Sequence, residues 1–480
     1  MKRINISYFF IILFLSSLIL SLIYIKHNIK NYDKNILDEN GTSFHLMIKN
    51  DTQRYFSHGY EIKKQLDENY NYFDTGRDNF TKYLFPRIIA LYYKIFDYEL
   101  YENEKKKVIN LGIHQNFLIF QILLYYLSVF FLYTQIKHKV DNKFLFFSIL
   151  FLCLEPTIFQ YHGSFWSESI FFSLQVLIMA LILNNKNSNL RLFLVGILLS
   201  FLALQRTNGF YYLLPVLIYF YFSRESNFLK KTLFIFIGFV ILINIVGYHN
   251  YKKSGRFFII PTETKSVLSA YVVPRILGKD KMQIEKNKFL KFLEINNIEI
   301  DSNTLNTLSY NRYAFVYCSN DDKKNKTSTN FIICDYFDKR SKEIVIENPL
   351  KTLKYVARKS LSFALLNPFH IYSDHKFKSG EKYYKSDLHQ SLLPYRIIYS
   401  LLIYFICFIG LIKMIKAKEN KMTLYLLISG IYFFIILSWH GNNRYFTPVL
   451  IYASFFFGYG FSGILNFLDR IFKSNKITNS

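Results

Sequence analysis

The sequence has 480 residues, a formal net charge of +25, and 51% hydrophobic and 19% aromatic residues. This is more apolar residues than the core of one soluble domain of ordinary size can bury. The composition therefore argues against a soluble globular protein and indicates an all-α polytopic membrane protein. Nucleic acid is a poor explanation for the positive charge, because no glycine-rich or basic-aromatic signature is present. Anionic lipid explains it better.

The first predicted transmembrane helix is the window "YFFIILFLSSLILSLIYI", residues 8–25. A span needs about 20 mostly apolar residues to cross the hydrocarbon layer. A cleaved signal peptide is the alternative, but no small-residue cleavage pattern follows the long apolar stretch, so we interpret it as a retained anchor. Nine further windows bring the expected total to ten spans: 115–134, 144–160, 165–183, 190–204, 209–222, 232–248, 396–415, 422–439 and 445–467.

Two of these windows, 190–204 and 209–222, are short and nearly adjacent. They are interpreted either as two tilted helices or as a re-entrant pair. Both alternatives leave the sidedness of the other spans unchanged, because removing two spans keeps the count even.

The number of Lys and Arg residues alternates between high and low from one short connection between spans to the next. One set of connections and the two ends carry 17 of them, whereas the short connections of the other set carry 2. Since positive charge is retained on the cytoplasmic side during insertion, both termini are expected in the cytoplasm. The long polar segments 26–114 and 249–395 are then expected outside it.

Three modules follow from this organisation. Residues 1–250 are expected to form a transmembrane module with a large first outer loop (26–114), which is the module that the family resemblance given below makes catalytic. Residues 251–394 form an extracytoplasmic segment, and residues 395–480 form the last transmembrane helices and a cytoplasmic tail.

The outer segments contain features of their own. The stretches "TQRYFSHGYEIKKQLDENY", "FPRIIALYYKIF" (85–96) and 352–371 mix apolar and basic residues, which predicts helices lying on the membrane surface. Residues 279–345 are compatible with a small subdomain of short helices. Cys318 and Cys334 both fall there, and an oxidising compartment permits a disulfide, although the spacing alone does not decide it.

Several charged or polar residues are expected at or near the outer ends of spans, where an ionisable group indicates a functional site. Each also has a purely structural explanation: an N-cap for Asp51, the helix dipole for Glu168, and a kink at Pro156 for Glu155. The arginines are also expected to snorkel to lipid headgroups if they have no other role. The residues are Asp51, Glu155, Glu168, Arg206, His440 and Arg444.

Known metal and nucleophile motifs do not occur in this sequence. It contains no HExxH, CxxC or clustered histidine spacing, and nothing similar to a nucleophile elbow. A zinc centre and a serine-hydrolase mechanism therefore have no support.

In the order of four short motifs, the sequence resembles multi-spanning GT-C glycosyltransferases, in particular the bacterial branch related to protein O-mannosyltransferases and lipid A aminoarabinose transferases. The motifs are "NDTQRY" after the first span, "FPRIIALYYKIF", "WSES" at the start of a span, and "RYFTPVL" at the last span. The resemblance covers roughly residues 5–250 and 395–468. It departs from the family at Thr52, where an acidic residue often follows the catalytic Asp.

The resemblance implies an inverting transfer, at the outer face of a bacterial inner membrane, of a sugar from a polyprenyl-phosphate donor. It implies that Asp51 is the general base, with Tyr55 close behind it in the motif, and that Arg206 and Arg444 bind the donor phosphate. His440 and Asn443 lie near Arg444 in the sequence and are further candidates. Glu168 is a candidate second acid, and Glu155 a weaker one.

The partners expected on this basis are the lipid-linked donor, membrane lipids, and a glycolipid, polysaccharide or protein as acceptor. No cofactor is indicated, and a divalent metal has no sequence support. An O-antigen or capsule polymerase or ligase is one alternative, which relies on Arg and His in outer loops. A lipid-linked sugar flippase or transporter is a second alternative. The charged residues cluster at one face of the membrane rather than near the membrane centre, which argues against transport.

Overall fold

The computed structural model describes residues 6–30, 51–68, 83–98, 101–103, 108–109, 111–163, 166–184, 188–223, 227–261, 263–299, 309–319, 328–368, 376–379, 382–385, 392–438 and 443–478. Almost all of this is helix. Strands occur only as two short antiparallel hairpins, Tyr101–Asn103 with Val108–Ile109 and Lys376–Ser379 with Lys382–Lys385, within these residues.

In the described part of the N-terminal half there are ten α-helices, which we number in chain order. Short 3-10 turns follow α6 (Gln160–Gly163) and precede α9 (Thr207–Tyr212). The helices are α1 (Ile6–Lys30), α2 (Asp51–Asp67), α3 (Leu84–Ile95), α4 (Leu111–Ile136), α5 (Asn142–Leu154), α6 (Pro156–Phe159), α7 (Glu168–Leu183), α8 (Asn189–Gln205), α9 (Leu213–Phe222) and α10 (Phe228–Ser254).

The remaining helices continue this numbering. A π-helical turn, Leu268–Val272, joins the first two, and a 3-10 turn, Asn443–Phe446, precedes the last. They are α11 (Glu263–Val267), α12 (Val273–Leu277), α13 (Lys279–Ile295), α14 (Tyr310–Ser319), α15 (Ser328–Glu347), α16 (Pro349–Ala364), α17 (Leu393–Lys416), α18 (Asn420–Ser438) and α19 (Thr447–Thr478).

Seven stretches among the described residues are long and apolar enough to cross a membrane: Phe9–Lys26, Gln115–Ile136, Asn142–Gly163, Phe228–Lys252, Leu393–Lys416, Asn420–Leu437 and Thr447–Ile471. Helices α7 and α8 are shorter apolar helices of 16 and 17 residues. The tenth predicted window, 209–222, is a 3-10 turn continued by the ten residues of α9. The chain is therefore an all-α polytopic membrane protein, as the composition predicted.

The short pair α8 and α9 lies alongside full-length neighbours. Tyr212, the last residue of the 3-10 turn before α9, hydrogen-bonds to Ser429 (2.9 Å) and Tyr425 (3.0 Å) of α18, and Tyr219 of α9 packs on Tyr425 with ring centroids 5.3 Å apart. Both members of the pair are thus helices packed into the bundle.

Glycines allow the closest helix crossings. A Cβ at Gly410 of α17 would overlap backbone atoms of α19, and a Cβ at Gly460 of α19 would overlap the Ile406 carbonyl oxygen of α17. Helices α8 and α10 make the same kind of contact through Gly196 and Gly238. Small residues at such crossings bring backbones close enough for extensive van der Waals contact, which is the main attraction between helices in lipid.

Helices α11–α15 form a cluster with its own apolar core. The core includes Val273 of α12, Phe289 of α13, Tyr313 of α14 and Phe337 of α15. Cys318 and Cys334 form a disulfide between α14 and α15, with Cα atoms 5.4 Å apart. The small helical subdomain expected from the sequence is present, and the disulfide that the spacing left open is formed.

Candidate functional site

Glu168 and Arg206 form a buried ion pair where α7 begins and α8 ends. The Arg206 guanidinium donates to a Glu168 carboxylate oxygen, and the residues are 6% and 1% exposed respectively. Glu168 lies in the first turn of α7, where a carboxylate is also stabilised by the helix dipole. We call the end of the bundle that carries this pair the site end.

Two aromatic rings flank the Arg206 guanidinium. Its central carbon lies 5.8 Å from the ring centroid of Phe171 and 5.2 Å from that of Tyr445. Tyr445 lies in the 3-10 turn before α19, so the backbone next to Arg444 is brought to the Arg206 end of α8. These distances fit cation–π attraction, which fixes a guanidinium in place without neutralising it.

The turn that carries Arg206 is held from several sides. Gln205 Nε2 donates to the Ser167 carbonyl at 3.1 Å, and Tyr432 of α18 donates to the Asn208 carbonyl. The Thr207 hydroxyl lies 3.3 Å from the Thr264 hydroxyl of α11. The turn therefore joins the membrane helices to α11, the first helix of the helical cluster.

Asp51 is the first residue of α2, and its side chain lies outside the described residues. One turn later Tyr55, 5% exposed, packs edge-on against Phe85 of α3 with centroids 5.2 Å apart. Phe56 packs against Phe117 of α4 at 6.2 Å. Tyr55 thus anchors the beginning of α2 to the bundle, which fixes where the backbone of Asp51 lies.

Arg87 of α3 is a buried cation that the sequence interpretation did not single out. It is 2% exposed, Nη2 lies 3.3 Å from Nε2 of His249 in α10, and its guanidinium lies 3.6 Å from the ring centroid of Tyr83. Burial raises the pKa of Tyr83, and the Arg87 cation offsets only part of that shift. The sequence feature that could have indicated Arg87 is its i, i+4 spacing from Tyr83, because this spacing places both residues on one helix face.

Glu155 has a structural explanation of the kind expected from the sequence. Pro156 lacks an N–H, α5 ends at Leu154, and Glu155 Oε2 accepts from the Ile158 N–H at 2.8 Å and so caps α6. Its other oxygen accepts from Tyr399 of α17 at 2.6 Å. Glu155 therefore ties the kink to α17.

The other predicted site residues have less structural definition. Asn443 and Arg444 belong to the 3-10 turn Asn443–Phe446, but their side chains lie outside the described residues, and His440 lies outside them entirely. Within the described residues, no group of three or more His, Cys, Asp or Glu side chains is placed to hold a metal ion.

The fold and site define a polytopic membrane protein with a buried ion pair and converging helix ends at one face. No protein-family model matches the sequence, and no curated protein matches it. Among solved structures, the chain is similar to the archaeal oligosaccharyltransferase AglB from Archaeoglobus fulgidus, in complex with an inhibitory peptide and a dolichol-phosphate. The identity is 11% and the TM-score 0.48, covering 97% of this chain and 52% of that chain.

The chain thus spans about half the length of that neighbour. A likeness of this size assigns neither a family nor an activity.

Proposed function

We propose that this protein is a membrane glycosyltransferase of the GT-C type, which transfers a sugar from a polyprenyl-phosphate donor to an acceptor at the site end. The observation that supports this most is the contact between Arg206 and Tyr445. It joins the turn that carries Arg206, at the end of α8, to the 3-10 turn that carries Arg444, and the family resemblance assigns both arginines to the donor phosphate.

The proposed reaction begins at Asp51. Its carboxylate takes the proton from an acceptor hydroxyl, and the oxygen forms a bond to the anomeric carbon of the sugar. The bond from that carbon to the lipid phosphate breaks, and the phosphate leaves with the electron pair. One displacement of this kind inverts the anomeric configuration.

The arginines would stabilise the leaving phosphate. Negative charge grows on it as the glycosidic bond breaks, so fixed N–H donors favour the transition state over the ground state. Glu168 compensates the charge of Arg206, so Arg206 would contribute oriented donors rather than net attraction. Arg444, with His440 and Asn443 near it, would supply the net positive charge.

The ion pair also gives Glu168 a role in this scheme. Because its carboxylate binds Arg206, we assign Glu168 as a positioning residue for that guanidinium rather than as an acid acting on the acceptor. Tyr55 would position Asp51 by fixing the first turn of α2.

The proposal also covers where the acceptor binds and on which side of the membrane the reaction takes place. The helical cluster α11–α15 joins the site end through Thr264 and would shape the acceptor site for a glycolipid, a polysaccharide or a protein. The distribution of Lys and Arg supports an extracytoplasmic site, with both termini in the cytoplasm.

Mass analysis of cellular glycolipids and glycoproteins tests the proposal. Asp51→Asn is expected to remove one glycan, because a general base contributes about 10²–10⁴-fold to the rate. Asp67→Asn is the matched control, since Asp67 ends the same helix and pairs with Lys63 at 3.2 Å. A glycan lost in Asp51→Asn and kept in Asp67→Asn identifies both sugar and acceptor.

Two other results would replace the proposal. If Asp51→Asn retains the glycan while Arg444→Gln or His440→Ala removes it, a polymerase or ligase mechanism is favoured. If none of these changes alters any glycan, but cells that lack the protein accumulate the lipid-linked sugar on one leaflet, a flippase is favoured.

A further inference from the structure

Helix α16 exposes a stripe of leucines. Leu350, Leu353 and Leu361 are 80%, 66% and 76% exposed, and Ile346, just before the helix, is 76% exposed. The three leucines are spaced three and eight residues apart, which places them on one face of α16. Exposed apolar residues aligned in this way indicate a surface that meets something other than water.

Basic residues accompany this stripe along the length of the helix. Lys351, Lys354 and Arg358 are exposed and lie to one side of the leucines, and the α16 sequence "PLKTLKYVARKSLSFA" contains no acidic residue. Among the described residues, none of these three cations forms an ion pair. An apolar face with an uncompensated cationic border complements the surface of an anionic bilayer.

The C-terminal end of α16 is fixed beside a transmembrane helix. The Leu366 N–H donates to Ser400 Oγ at 2.9 Å, Arg396 Nε donates to the Leu366 carbonyl at 3.2 Å, and the Tyr404 hydroxyl donates to the Ala364 carbonyl. Ser400 and Tyr404 follow the first residue of α17 by seven and eleven positions, about 10 and 17 Å along the helix axis. The last turn of α16 is therefore held beside the first half of α17.

These three observations have a common consequence. With 16 residues, α16 is about 24 Å long, too short to span, and it carries cations throughout its length. Because the last turn of α16 is held beside a helix long and apolar enough to span the membrane, the exposed Leu361 is placed where lipid rather than water is expected.

We propose that α16 lies in the headgroup layer of the leaflet at the site end. Its leucines insert among the acyl chains, and Lys351, Lys354 and Arg358 bind anionic phospholipid headgroups. This inference does not depend on the glycosyltransferase proposal. It also gives the helical cluster α11–α15, which precedes α16 in the chain, a fixed height above the bilayer.

An environment-sensitive fluorophore tests this placement in the full-length protein. Leu353→Cys and Leu361→Cys are labelled in proteoliposomes of phosphatidylcholine with phosphatidylglycerol, and Gln283→Cys on exposed α13 is the control. Unsubstituted protein corrects for labelling of the free cysteines, Cys153 and Cys407. We expect blue-shifted emission at positions 353 and 361 that doxyl-labelled lipid quenches, and unquenched emission at position 283.

The lipid preference is tested with charge-neutralised variants. K351Q/K354Q/R358Q is compared with K281Q/K291Q/K339Q, which removes three exposed cations from the helical cluster. Enrichment of fluorescent phosphatidylglycerol around a label at position 361 is expected to fall about fivefold for each charge removed from α16, and to remain unchanged in the control.

Three results would overturn the proposal. Emission at positions 353 and 361 as red as at position 283 would place α16 in water. Blue-shifted emission without quenching by doxyl lipid would mean that a protein surface, such as a second copy of this chain, covers the leucines. Equal loss of enrichment in both triple variants would show that net charge, rather than α16, attracts the lipid.

Discussion

The ion pair between Glu168 and Arg206 yields a prediction about stability. Both side chains are nearly buried, at 1% and 7% exposure. Glu168→Gln keeps the shape but leaves the guanidinium uncompensated, and removing one partner of a buried pair costs about 3–5 kcal/mol. This figure includes about 0.3–1 kcal/mol from the lost interaction of the carboxylate with the α7 dipole.

The double substitution separates pairing from burial. Arg206→Met alone strands the carboxylate and is expected to cost a similar amount, whereas Glu168→Gln with Arg206→Met removes both charges and is expected to return most of the lost stability. The free energies come from unfolding in mixed SDS micelles, followed by circular dichroism. Glu294→Gln, at an exposed position of α13, is the control and is expected to change stability by less than about 0.5 kcal/mol.

Single substitutions that each cost less than about 1 kcal/mol and simply add in the double variant would refute this reasoning. They would show that the two charges are solvated and that the junction between α7 and α8 does not depend on their pairing.

Two further predictions concern packing and pH. Gly460→Ala is expected to lower stability, because its Cβ would overlap the Ile406 carbonyl oxygen and force α17 and α19 apart, and a lower melting temperature in detergent checks this. Burial acts to raise the pKa of Glu285, but hydrogen bonds from Arg340 and Lys288 outweigh it, and the pKa lies below the usual 4.5. The stabilising contribution is therefore full above pH 4.5 and is lost as pH falls through the lowered pKa. Acid should lower the melting temperature less in Glu285→Gln than in the unsubstituted protein, and equal slopes would contradict the assignment.

The sequence predicted the helices well, because each long uncharged window has one stable solution in lipid, a helix with its backbone hydrogen bonds satisfied internally. Helix α1, helices α2 and α3 and the helical cluster were found where the sequence placed them. The kink at Glu155 was also predictable, since Pro156 ends a helix by its own chemistry.

The pairings between side chains were not predictable in the same way. Sidedness put Glu168 and Arg206 at one membrane face, but their contact depends on how α7 and α8 pack, which no local pattern encodes. The burial of Arg87 against His249 joins residues 162 positions apart and requires the docking of α3 on α10. The position of the last turn of α16 likewise depends on hydrogen bonds to a helix that follows it in the chain.

The proposed function requires Asp51 and Arg444 to lie at one site, and crosslinking tests this proximity most directly. Asp51→Cys with Arg444→Cys is treated with a short bismaleimide in membranes and compared with Asp67→Cys paired with Arg444→Cys. Residues 51 and 67 are separated by about 24 Å along α2, so only one of the two pairs can be close. We expect a crosslink between positions 51 and 444 and none between 67 and 444. A crosslink only with position 67, or reaction of positions 51 and 444 from opposite sides of the membrane, would contradict the account.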